Sequence, residues 1–105
     1  MSTQIGARGL FQLGWPHTDR MKDAVAVGET AKLLATNLRT LRAAQGETQL
    51  AVAAAAGLTP QHYRLLEKAV SPSGGPANPR LSTLLALAQV HGISVAELLI
   101  ARPHA

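Results

Sequence analysis

A chain of 105 residues, 47% of them hydrophobic, is long enough to build one modest core and too short for two domains. Alanine and leucine dominate and the aromatics are one Phe, one Trp and one Tyr, a balance that favours helices over sheets. The absence of cysteine excludes disulfides and thiolate chemistry and suits a reducing cytoplasm, while a net charge of +4 favours polyanionic partners.

Residues 1–29 carry four Gly, one Pro and scattered charge without a sustained period, and read as a tail in which 19–27 can form a turn or two of helix. Leu10, Phe11, Leu13 and Trp15 form an apolar cluster that can dock on the domain, on a second copy or on another protein. Arg8, Arg20 and Lys22 make a basic arm a further option, diluted by Asp19 and Asp23. A helix-turn-helix pattern is expected from 30 to 101, with residues 102–105 as a polar tail.

The first confident helix covers 30–45. Thr30 is placed to cap it, and Leu34, Leu38 and Leu41 recur at helical spacing. Thr48 then caps an Ala-rich helix over 49–56, with Val52, Ala53 and Ala56 toward the core. Gly57 stops it, since glycine accepts the left-handed backbone of a helix end. Thr59 caps a third helix over 60–68, and Pro60 sits where a missing N–H does no harm. Two short helices across a three- to four-residue turn have the helix-turn-helix spacing. Many all-α domains contain such a pair without binding DNA.

Residues 69–79, AVSPSGGPANP, form a loop by composition and carry no charge. A fourth helix follows over 80–91, with Leu81, Leu84, Leu85, Leu87 and Ala88 as a wide apolar face, and Gly92 ends it. Ser94 caps the fifth helix, and Glu97 three residues later completes a capping box.

The ordered set Leu38, Leu41, Arg42, Gln49, Ala53, Gly57, Thr59, Glu67, Pro79, Leu84, Ala88, Gly92 and Ser94 resembles the phage-repressor and Cro class of helix-turn-helix proteins, the XRE type, over Leu34–Leu99. The resemblance implies a compact, all-α, five-helix domain that binds double-stranded DNA, as a homodimer, in the cytoplasm of a bacterium or from a phage. It implies that the third helix enters the major groove, with Thr59, Gln61, His62 and Leu65 nearest the bases. Gln49, at a helix N-terminus, would hold a phosphate. Arg39, Arg64, Lys68 and Arg80 are the further phosphate candidates. Arg42 is both a phosphate candidate and, with Glu67, one half of an ion pair tying the first helix to the third. Each has a plainer reading as an ordinary solvated or core residue.

Four departures stand out. Pro60 lies where relatives often carry a polar reader, Glu47 where they are apolar, and His91 where they have leucine. Ala69 replaces the usual glycine after the third helix, so a different turn is expected there. The loop 69–79 is longer than usual and uncharged, which leaves room for a protein contact. Rival readings are an antitoxin that holds a toxin through residues 1–29, and an interaction module that kept the fold without DNA binding.

Neither metal nor cofactor is expected. His17, His62, His91 and His104 lack ligand spacing, and no nucleophile elbow, Walker loop or dinucleotide fingerprint is present. Catalysis is not expected, nor is a membrane partner, because no apolar run approaches the roughly 20 residues that span a bilayer.

Overall fold

The computed structural model describes residues 20–101, with side chains from residue 25 onward. The apolar cluster Leu10–Trp15, Arg8 and the C-terminal residues 102–105 lie outside the described residues, as do the side chains of Arg20 and Lys22.

Helix α1 (Arg20–Ala44) is organised by Ala31, Leu34, Ala35 and Leu38, at i, i+3, i+4 and i+7, none more than 3% exposed. It begins ten residues before Thr30, which lies exposed in its interior and caps nothing. The reason is cooperative: once a helix exists, each added residue gains a hydrogen bond without a new nucleation cost, and a cap-type residue does not stop it. Gly28 is tolerated within this extension. A side chain there would meet Pro76 at ordinary contact distance, so the first half of α1 runs beside the loop that follows α3.

Helix α2 (Gln49–Ala55) is capped by Thr48, whose hydroxyl accepts from the Ala51 N–H at 3.0 Å. It ends on Gly57 at φ 72°, where Leu58 N–H donates to Ala53 C=O and Gly57 N–H to Ala54 C=O. That paired arrangement satisfies carbonyls the helix end would otherwise leave open. Helix α3 (Pro60–Glu67) is capped by the Thr59 hydroxyl, which accepts from His62 N–H.

At the end of α3 the same paired bonds recur, from Val70 N–H to Leu65 C=O and from Ala69 N–H to Leu66 C=O. Ala69 takes the left-handed conformation itself, at φ 62°. The turn is therefore the one glycine makes at Gly46, Gly57 and Gly92, and not the different turn the alanine implied. The loop then folds into a small hairpin: Val70 bridges Pro76, Ser71 N–H donates to Gly75 C=O at 2.8 Å, and Ala77 N–H donates to Ala69 C=O at 3.0 Å.

Helix α4 (Leu81–His91) and helix α5 (Val95–Leu98) complete the domain, the latter with the Ser94–Glu97 capping box in place. The apolar face of α4 is narrower than its leucines suggest. Leu87 and Ala88 are buried, but Leu81 is 73% and Leu85 49% exposed. The core gathers Leu34 and Leu38 from α1, Val52 and Ala53 from α2, Tyr63 and Leu66 from α3, Leu87 from α4 and Leu98 from α5. Among the described residues there is no strand beyond the single bridge, and no helix is long and apolar enough to cross a membrane.

Candidate nucleic-acid interface

Glu67, at the last position of α3, is only 4% exposed, and a buried carboxylate needs partners. Arg42, in the last turn of α1, supplies a two-pronged one: Nε donates to Oε2 at 2.7 Å and Nη2 to Oε1 at 3.1 Å. Gln49, the first residue of α2, donates from Nε2 to the same Oε1 at 2.9 Å. The third prong of Arg42, Nη1, reaches Glu47 C=O at 3.3 Å. Arg39 also donates to this end of α3, through the Glu67 backbone carbonyl, and to Thr36 Oγ1. One carboxylate thus fastens α3 to both α1 and α2.

The electrostatics follow from this geometry. Burial alone would push the Glu67 carboxyl up, but the bonds from Arg42 and Gln49, with the Tyr63 hydroxyl alongside, outweigh it and hold the carboxyl below its ordinary value. The same bond raises the Arg42 guanidinium above its usual value. Tyr63 is fully buried, and burial together with the Glu67 charge pushes its ionisation far up. Its hydroxyl closes no hydrogen bond of full geometry, so it acts on the pair as a neighbouring dipole.

With its inner face pinned, α3 turns its other face outward. Thr59, Gln61 and His62 are exposed in its first turn, and Leu65 is half-buried one turn on. Arg64 Nη2 donates to Gln61 Oε1 at 3.2 Å, which orients the carboxamide. Thr59, Gln61, His62 and Leu65 line a shallow cleft of about 310 Å³ whose far wall is Pro72, from the hairpin loop. Lys68 and Arg80 are exposed at the C-cap of α3 and the N-cap of α4.

The structure therefore separates the candidate residues into two groups. Arg39, Arg42, Gln49 and Glu67 form the clasp behind α3. Thr59, Gln61, His62, Arg64 and Leu65 form its outward face. Among the described residues, no group of three or more His, Asp or Glu side chains is placed to hold a metal ion.

Two buried polar residues hold helix ends together, and of these Asn37 escapes a sequence reading while His91 stands out in it only as a departure from leucine. Asn37 is 3% exposed on the core stripe of α1, and its Nδ2 donates to Leu98 and Ile100 carbonyls, both at 2.8 Å. It closes the end of α5, and its one signal in the sequence is a polar residue between Leu34 and Leu38. His91 is 7% exposed, with Nδ1 2.9 Å from Gln45 Oε1. An amide oxygen only accepts, so Nδ1 carries the proton and donates, joining the ends of α4 and α1.

Comparison with known proteins adds one match. A helix-turn-helix family model matches residues 38–98, more than half of the chain. No curated protein and no solved structure matches.

Proposed function

The chain belongs to the XRE-type helix-turn-helix family of DNA-binding transcription regulators, and from that premise we propose that it binds a specific double-stranded operator through the outward face of α3 and represses transcription by occluding it. The observation that carries this reading is the division of labour around α3. The Arg42–Glu67–Gln49 clasp holds the helix rigidly from behind, while Thr59, Gln61 and His62 stand exposed in its first turn. A helix entering the major groove reads bases from that first turn.

Gln61 is the base reader, since a carboxamide can donate and accept along an adenine edge. Leu65 offers only an apolar contact, suited to a thymine methyl. Arg64, Lys68 and Arg80 supply the exposed cations for phosphates. Arg39 and Arg42 spend donors on the end of α3, so their contribution to DNA binding is chiefly to hold that helix. Gln49 keeps a second amide hydrogen beyond its bond to Glu67, enough for one phosphate. Two copies would read the halves of a palindromic site, about 34–36 Å apart.

The test is binding to DNA from upstream of the protein's own gene at about 50 and 200 mM salt. With six phosphates neutralised, affinity falls about a thousandfold over that range. Gln61→Ala should flatten the preference for the cognate sequence over random DNA, with a cost of about 1–3 kcal/mol at the contacted base pair. A folded protein with no affinity at the lower salt would refute the reading. The uncharged hairpin, with Pro72 against the α3 face, favours one alternative, a module that binds protein there instead; capture of a partner by protein that ignores DNA would support it.

A further inference from the structure

An open trough of about 240 Å³ runs along the first half of α1. Ala26, Val27, Thr30 and Leu34 line one side, and Leu84 and Leu99 are part of the other. The α1 positions share a single helical face, and among the described residues no charged side chain lines the trough. Ala26 and Val27 lie in the part of α1 that extends before Thr30, so the extension adds to the trough apolar surface that the five helices leave open.

The chain holds its own complement. Two of its three aromatics, Phe11 and Trp15, precede α1, and residues 9–16, GLFQLGWP, carry no charge. Aromatic side chains gain most from burial. Five peptide steps separate Trp15 from Arg20, up to about 17 Å of chain. Ala26 lies only about 9 Å along the helix from Arg20. Nine steps, up to about 30 Å, separate Phe11 from Arg20, and Leu34 lies about 21 Å along the axis. A chain that reverses before α1 therefore reaches both ends of the trough. So short a tether gives an effective concentration in the millimolar range, which favours this occupant over a second copy.

We propose that residues 10–15 fold back along α1 and seat Leu10, Phe11, Leu13 and Trp15 in the trough of their own chain. The proposal does not depend on the DNA-binding reading. The segment acts as a strap that completes the core.

Trp15 is the one tryptophan in the chain, so the fluorescence of the full-length protein reports on the strap directly. The expected result is an emission maximum shifted to the blue of free tryptophan, with acrylamide quenching several-fold weaker than in denaturant. Both should be independent of protein concentration. Ala26→Glu/Thr30→Glu places two carboxylates in the trough from exposed helical positions. It should return emission and quenching to their unfolded values while helical circular dichroism persists. If that pair costs the fold, Ala26→Gln, a good helix former, sets a polar amide at the same place and should give the same red shift. Fully exposed emission in the folded wild type overturns the proposal. So does a blue shift that grows with concentration, which assigns the trough to a second copy, or one that survives substitution in the trough.

Discussion

Ala69 sits at φ 62° with a methyl group where the turns that end α1, α2 and α4 carry glycine. A side chain in that region costs about 1–2 kcal/mol. Glycine would remove the cost and give back about 0.4–1 kcal/mol through a more flexible unfolded chain. Ala69→Gly is therefore expected to stabilise the domain by roughly 0.5–1 kcal/mol, visible as a later urea midpoint with an unchanged slope. Asn37 makes the opposite case. Both hydrogens of its amide are used on carbonyls that α5 leaves open, 61 and 63 residues away. Asn37→Ala leaves both carbonyls without this donor, that of Leu98 in a dry site, at about 1–3 kcal/mol. Hydrogen exchange should show the loss concentrated at residues 95–100; uniform loss across the domain would contradict a local role.

Helix α3 has only eight residues, too few to be stable alone in water. Its order comes from Tyr63 and Leu66 in the core and from the Glu67 clasp at its end. Glu67→Gln keeps the shape and removes the charge, leaving Arg42 three-quarters buried without its counter-ion. Breaking a buried pair costs about 3–5 kcal/mol; partial exposure of Arg42 puts the expected loss nearer 2–3. The pH dependence has a definite sign. Because the folded carboxyl holds its proton less tightly than the unfolded one, its contribution is complete above the ordinary glutamate value of about 4.3. It is lost as pH falls from there through the lower folded value. Urea titrations between about pH 3 and 7 should show this slope in the wild type and a shallower one in Glu67→Gln. Equal slopes would mean the carboxylate is not held by the clasp.

Across the whole molecule, one pattern recurs: what local chemistry decides, the sequence shows. Thr48, Thr59 and Ser94 each cap the helix they precede, and Gly57 and Gly92 each end one, because a cap or a left-handed turn involves residues only a few positions apart. The Leu34–Leu38 stripe marks the core side of α1 for the same reason. Tertiary structure decided the rest. The start of α1 at Arg20 depends on helix propagation beside the hairpin loop, which overrode the cap-type Thr30. The exposure of Leu81 and Leu85 depends on which elements reach α4, and its leucines alone cannot say which of them is covered. The link from Gln49 to Glu67 spans 18 residues and that from Asn37 to Leu98 spans 61, and each needs a partner that only the packed chain brings within hydrogen-bond reach. Helix ends and faces are written locally by caps, glycines and apolar period; the partners of buried polar groups are set by desolvation once the helices meet, and that is where the clasp behind α3 was decided.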